Sequence, residues 1–594
     1  MINDLKYMIS NWFKWQKKSF VYFFLKVPAL ILQPIIISYI PKVMIDCINE
    51  NVTINRLFII IVLLSILMAL AAWLIPFMQE LLIGSARIIR MRYAVLAFEK
   101  NLRADYKKIE SMECRTKSKR AADFYNSNFS SSSEFIELLN QFVVCVLGVI
   151  TSFFIICKVD FIMVLIILIT CVIEFFLLKY LNKKEKTVKD SRSSIMVKFD
   201  YFYNISKDAS AAKDIRIYDF SSYFISILSK CIYQIDNIVT KYMHQSINVT
   251  GTRSVLNFCR EIIAYIYLIY LVCNNKLIVS DFIFYFGVIT GFSNWLVNLV
   301  SCYSNIERCC NDCSEYRKYI EYCDSNRCID NIIENELNIV NSIEFKNVSF
   351  LYDNNHTETI KDLNFYINAG ENIAIVGSNG AGKTTLVKLL CGLYSPTKGK
   401  ILINGNNISH MNKEIYMGLF APVFQNYSFL PTTIAENICS SKEIDQKRLY
   451  ESLESAGINH KIEQLNFKEN EFLIKEVNKD AIDFSGGEKQ KLLFAKAIYK
   501  NAQVLILDEP TAALDPIAEN ELYLKYSQLT KEKISFFVSH RLSSTRFCDK
   551  IFYLKDGQII EIGTHNELMA LHGEYYKMYN LQSVYYKEMD NKYG

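Results

Sequence analysis

Gly377-Ser-Asn-Gly-Ala-Gly-Lys-Thr384 is the stretch on which the fold turns. It fits the spacing G-x-x-x-x-G-K-[ST]. An apolar run ahead of it, Asn372-Ile-Ala-Ile-Val376, reads as a buried strand, and residues 386–390 behind it read as a helix. Strand, glycine turn and helix in this order are what a phosphate cradle needs. The glycines allow consecutive backbone N–H groups to face inward, the helix N-terminus favours negative charge, and Lys383 neutralises the charge of β- and γ-phosphates. Thr384 offers a hydroxyl to Mg²⁺. A glycine turn that merely caps a helix is the bland alternative, and the flanking elements argue against it.

Working outward, Val504-Leu-Ile-Leu507 reads as a second buried strand, ending in Asp508-Glu509. A carboxylate at the end of a strand beside a phosphate loop is suited to order the metal, and the next one to polarise a water aimed at the γ-phosphorus. Asp508 is therefore the expected Mg²⁺ residue and Glu509 the expected general base. Upstream, Ile343-Glu-Phe-Lys-Asn-Val-Ser-Phe350 alternates like a half-buried strand, so an α/β nucleotide-binding domain is expected over 341–594.

The first half of the chain has a different character. The 594 residues are 51% hydrophobic, 13% aromatic and 21% charged, too apolar for an ordinary soluble protein of this length. Uncharged runs at 57–79, 138–157 and 282–306, with interrupted ones at 19–47, 161–181 and 254–273, predict six bilayer spans. The loops 85–134 and 182–253 keep apolar periodicity and read as helices that continue out of the bilayer. Eleven Lys or Arg in 85–134 and six in 182–198 place both loops, and with them both termini, in the cytoplasm of a multi-pass cell-membrane protein. The expected domains are a cytoplasmic segment 1–18, a transmembrane domain 19–306, a linker 307–340 and the nucleotide-binding domain 341–594.

Lys26, Glu174, Arg260 and Glu261 fall inside the apolar runs, and each either faces protein or substrate or snorkels from a misplaced span end. With 66 basic against 61 acidic residues, the net charge of +5 gives no reason to expect a nucleic-acid partner. Seventeen cysteines are too sparse for a disulfide scaffold. Cys302, Cys309, Cys310, Cys313, Cys323 and Cys328 cluster near the last span and read as reduced bystanders, although Cys309 and Cys313 at i, i+4 share a helix face on which a metal would fit.

The motifs of the second half, taken in order, resemble the nucleotide-binding domain of ATP-binding cassette (ABC) transporters. Six spans fused ahead of it resemble the bacterial exporter type, as a half-transporter. The expected fold is thus multi-domain: an all-α transmembrane six-helix bundle followed by an α/β P-loop domain. On this resemblance Tyr352 matches the aromatic residue that stacks on adenine, and Gln425 in Pro422-Val-Phe-Gln425 matches the Q-loop residue that reaches Mg²⁺ and the attacking water. Phe484-Ser-Gly-Gly-Glu488 matches the family signature, Asp515 the D-loop and His540 the switch histidine beside Glu509. ATP and Mg²⁺ are the implied cofactors. Gly377, Ser378, Asn379, Gly380, Ala381, Gly382, Lys383, Thr384 and Thr385 would hold the nucleotide, and Thr384, Gln425 and Asp508 the metal. Ser485, Gly486 and Gly487 read as the opening of a helix whose amides, on this resemblance, meet the γ-phosphate of ATP on a second subunit, so a homo- or heterodimer is implied.

Two departures stand out. Phe484 and Glu488 replace the usual Leu and Gln, and 476–481 lacks the Gly-Glu-x-Gly pattern of exporters, with Lys479 in place of an acid. The resemblance implies ATP-driven export of an amphipathic small molecule, lipid or peptide. An exporter-fold importer and a nucleotide-gated channel or membrane sensor are the alternatives.

Overall fold

The computed structural model describes the chain apart from residues 51–52, 158–160, 325–338, 354–355, 426, 442, 476, 510–525, 527–529, 531–532, 540–541 and 583–594, and apart from the side chains of 161–168, 171, 186, 209, 210 and 542–544. Two compact units divide it, Met1–Arg327 and Cys328–Gly594.

The first unit is helical. It comprises α1 (Ile2–Trp15), α2 (Lys18–Asn49), α3 (Ile54–Arg103), α4 (Tyr106–Glu110), α5 (Met112–Tyr125), α6 (Ser131–Ile156), α7 (Phe161–Lys207), α8 (Ala209–Ile217), α9 (Ser221–Cys273) and α10 (Val279–Asp324). Among the described residues α2, α3, α6, α9 and α10 are long and apolar enough to cross a membrane, and α7 contains the remaining apolar run, 161–181. The spans thus sit inside longer helices. Charge ends the apolar stretch without ending the helix, because 80–103 and 182–207 hold no proline, and Gly84, Asn101, Asn182 and Asn204 do not take the left-handed conformation that stops one. Pro28, Pro34 and Pro41 lie within α2, which runs on through them, as helices packed against neighbours allow.

Two segments depart from the sequence expectation. Residues 1–18 are not merely a polar lead: α1 buries Met8 and Trp12, Trp12 donates its indole N–H to Ser19 Oγ, and Asp4 accepts from Arg317 at 2.9 Å. The stretch expected as a linker from 307 begins as helix, because Ile306, Cys309, Cys310, Cys313, Tyr316, Tyr319 and Cys323 recur at helical spacing and join the core formed by α3, α5 and α6. Those thiols are packing residues, and no group suited to hold a metal occurs among the described residues.

Three of the four intramembrane charges have polar partners. Lys26 donates to Gln79, whose amide donates to Glu137 at 2.7 Å, and the fully buried Glu174 lies 3.9 Å from the equally buried Arg260. Glu261 is partly exposed. Lys26, Glu174 and Arg260 therefore face protein, which offsets the cost of charge in an apolar setting.

The second unit is α/β. An antiparallel sheet of order β2-β1-β4-β5 uses β1 (Ser342–Phe350), β2 (Ile360–Asn368), β4 (Lys398–Ile403) and β5 (Asn406–Asn407). The larger sheet has the order β10-β9-β3-β8-β7-β6, from β3 (Asn372–Gly377), β6 (Phe420–Val423), β7 (Val504–Asp508), β8 (Ile534–Val538), β9 (Lys550–Lys555) and β10 (Gln558–Gly563). β9, β3, β8, β7 and β6 run parallel, so the ends of β3 and β7 emerge on one edge with β8 between them. That edge is where open parallel sheets place their ligands. Helices α11 (Lys383–Leu390), α12 (Lys413–Gly418), α13 (Ile434–Cys439), α14 (Gln446–Ser455), α15 (Asn459–Glu463) and α16 (Gly486–Lys500) complete the description needed below.

Candidate functional site

β3 is buried along nearly its whole length and delivers Gly377 at its end; α11 starts at Lys383. Between them the loop is held by contacts that only glycine allows. A Cβ on Gly377 would stand 2.2 Å from the Leu554 carbonyl oxygen on the paired strand β9. Gly382, at φ 104°, caps α11 in the left-handed region, and a Cβ there would crowd Ile360 at 2.8 Å. Gly377→Ala should therefore destabilise the unit by about 1–3 kcal/mol, since the obstructing atom is backbone tied into a sheet. Urea unfolding followed by tryptophan-independent circular dichroism checks this, and an unchanged midpoint would show that β9 can yield.

Lys383 folds back over the loop, donating to the carbonyls of Gly377 at 2.9 Å and Ser378 at 3.0 Å. Burial holds its ammonium below the ordinary lysine range, while the charges of Glu509 and Asp508 pull the other way. Asp508, at the end of β7, is pushed up to about 6, first by burial and then by the charge of Glu509, with Lys383 opposing. Lys388 opposes the rise as well, so the two adjacent carboxylates are countered by two lysines, of which Lys383 acts more strongly. The hydroxyl of Thr384, the amide oxygen of Gln425 and the carboxylate of Asp508 are oxygen donors of the kind Mg²⁺ takes, so their chemistry fits that ion.

Glu509 leaves the strand with φ 51°, a conformation that costs a non-glycine residue about 1–3 kcal/mol. Its own N–H bonds the Val538 carbonyl at 2.9 Å, which fixes the turn. The carboxylate accepts a hydrogen bond from the Gln425 amide at 2.7 Å, a contact bridging 84 residues of sequence that motif reading did not supply. Tyr352 donates or accepts at Thr385 Oγ1, 3.0 Å away, and its ring packs edge-on against Phe350 and Tyr394 at 4.9 and 5.5 Å. The tyrosine is thus tethered to the helix that follows the phosphate loop.

The signature opens α16 as expected, and Glu488 gains a reason there. Ser485 Oγ accepts the Glu488 N–H at 3.3 Å while Glu488 accepts the Ser485 N–H at 2.8 Å, a reciprocal capping box. That backbone hydrogen bond is the main cause holding the Glu488 carboxyl below its ordinary value. A depressed carboxyl stabilises the fold above its unfolded value, near 4.5, and the contribution is lost as pH falls below that. Glu488→Ala should cost about 1 kcal/mol at neutral pH, and Glu488→Gln much less because glutamine closes the same box. Thermal melts at pH 7 and pH 4 test this: equal losses for the two variants would remove the cap.

Lys383, Asp508, Glu509 and Gln425 are gathered at one edge, and Tyr352 joins Thr385. Ser485, Gly486 and Gly487 head a separate helix, and Asp515 and His540 lie outside the described residues.

Residues 360–512 match the family model described as ABC transporter. This segment is an ABC transporter ATP-binding domain. Over the ABC cassette the chain is 38% identical across 243 residues to the "Subtilin transport ATP-binding protein SpaT" of Bacillus subtilis, covering 40% of this chain and 39% of that protein. It is 34% identical across 257 residues to the "Nisin transport ATP-binding protein NisT" of Lactococcus lactis subsp. lactis, covering 42% and 41%. It is 37% identical across 238 residues to the "Beta-(1-->2)glucan export ATP-binding/permease protein NdvA" of Agrobacterium fabrum, covering 40% of each. The matched stretch therefore spans about two fifths of the curated relatives. The fold likeness reaches further. A bacterial Atm1-family ABC exporter with ATP bound superposes with a TM-score of 0.81 at 19% identity, over 95% of this chain and 98% of that one. Membrane unit and ABC cassette together thus have the ABC exporter fold.

Proposed function

We propose that the chain is one half of an ATP-driven exporter that works as a dimer, with 19–306 as the membrane domain, 341–594 as the ABC cassette, and both termini cytoplasmic. The observation that carries this reading is the gathering of Lys383, Asp508, Glu509 and Gln425 at one edge of the parallel sheet, in a chain whose membrane unit has the exporter fold.

In this reading the loop amides and Lys383 bind the β- and γ-phosphates of ATP, and Tyr352 meets the adenine. Thr384, Asp508 and Gln425 hold Mg²⁺, which when bound neutralises phosphate charge. Glu509 accepts the proton of the attacking water, with Gln425 and His540 holding it in place. Because Ser485, Gly486 and Gly487 stand at the head of another helix, they serve the ATP of a second subunit, and Asp515 is assigned to nucleotide binding with them. ATP must bind the closed pair better than the open one, or no reorientation of the spans follows.

The substrate is an amphipathic molecule. Inside-out vesicles carrying the protein should take up an exported amphiphile only with ATP and magnesium. Uptake in right-side-out vesicles instead would mark an importer, and a steady ion current with little ATP turnover would mark a channel.

A further inference from the structure

The geometry points to a second binding site, one lined wholly by residues of the membrane unit. A cavity of about 480 Å³ lies between α5, the start of α6, the outer part of α7 and the continuation of α10, on the side of the basic loops 85–134 and 182–253. Its size is that of an ordinary ligand pocket. Its wall carries six lysines and arginines and six carboxylates, so it is neutral in sum and densely charged in detail.

Most of these charges already have partners. Arg308 meets Glu134 at 2.7 Å, Lys189 meets Asp312 at 3.0 Å, and Arg120 lies 3.6 Å from Asp190. Three make no close ion pair among the described residues, Arg192, Asp123 and Glu185, although Asp123 feels the charges of Lys189, Arg192 and Lys119 from across the cavity wall. Asparagine and serine side chains fill the intervals, and Phe129 stands at the rim, 86% exposed, an aromatic ring with nothing covering it.

This lining selects a class of ligand. A nucleotide or other polyanion would find as many carboxylates as cations. A purely apolar molecule would strip water from ion pairs without replacing it. What completes the wall is a ligand with a carboxylate for Arg192, an ammonium or guanidinium for Asp123 and Glu185, amides for the asparagines, and one apolar side chain for Phe129. A peptide segment carrying acidic and basic residues has all four. We propose that this cavity receives a mixed-charge peptide segment of the transported molecule before it crosses. This rests on the export reading and narrows its substrate to a peptide.

The test uses the full chain in nanodiscs and a fluorescein-labelled peptide bearing one glutamate, one lysine and one leucine, with a counterpart in which glutamine replaces both charges. Fluorescence anisotropy should show the charged peptide binding about tenfold tighter or better. Arg192→Glu should lose that preference, and a peptide with lysine in place of the glutamate should regain it, a rescue that a misfolded variant cannot give. Equal binding of both peptides, or the same preference in Arg192→Glu, overturns the proposal. So does displacement by soluble phosphocholine with no preference for the charged peptide, which would make the cavity a lipid headgroup site. Hydrolysis is read alongside: absent peptide selectivity with intact ATP turnover and vesicle uptake removes only this site, whereas absent turnover removes the export reading itself.

Discussion

Glu509→Gln should lower steady ATP hydrolysis by about 10²–10⁴-fold, the range for loss of a positioned general base, while ATP binding stays within a few-fold of the parent. The geometry sets this expectation. The carboxylate is aimed by a left-handed backbone at the end of β7, pinned through its N–H to Val538, and held by Gln425 at 2.7 Å. Glutamine keeps the size and can keep the contact with Gln425, but it cannot take a proton from water. Phosphate release and equilibrium nucleotide binding, measured on the same preparation, separate the two effects. Unchanged hydrolysis would remove Glu509 from the role of base.

Lys383→Ala should weaken ATP binding by about 2–5 kcal/mol, the cost of truncating one member of a buried hydrogen-bonded charge pair. The ammonium is nearly enclosed, bonds carbonyls of its own loop at 2.9 and 3.0 Å, and feels the charges of Asp508 and Glu509. Without it, phosphate would meet two carboxylates with their stronger opposing charge removed, so the loss should exceed that of one hydrogen bond. A fluorescent ATP analogue titrated into the purified protein reads the change. Affinity within threefold of the parent would mean that the loop amides alone hold the nucleotide.

Much of the ABC cassette was legible because its signals are local. Asn372–Gly377 is a strand by composition, the glycine spacing fixes the turn, and α11 follows within a few residues. Asp508 and Glu509 were found for the same reason, since four apolar residues lead into them. What stayed hidden depends on residues far apart in the chain. The Gln425–Glu509 bond spans 84 positions, and the proximity of Glu174 to Arg260 requires α7 to lie against α9. The cap at Glu488 was within reach, because serine followed at the third position by glutamate is itself a helix-start signal. The burial of α1 and the helical continuation to Asp324 were missed because hydropathy marks the bilayer and not the helix. Cys309, Cys313, Tyr316 and Tyr319 keep helical spacing beyond the last apolar run, and reading that period would have extended it.

Nucleotide sandwiched between two cassettes is the claim on which transport depends. Full-length Glu509→Gln protein in nanodiscs, loaded with radiolabelled ATP and magnesium and then desalted, tests it when light scattering gives the mass of the species that keeps the label. Two chains retaining ATP that exchanges slowly, with retention lost when Ser485 is changed to arginine, is the expected result. Stable retention by a single chain, or retention indifferent to Ser485, would contradict it.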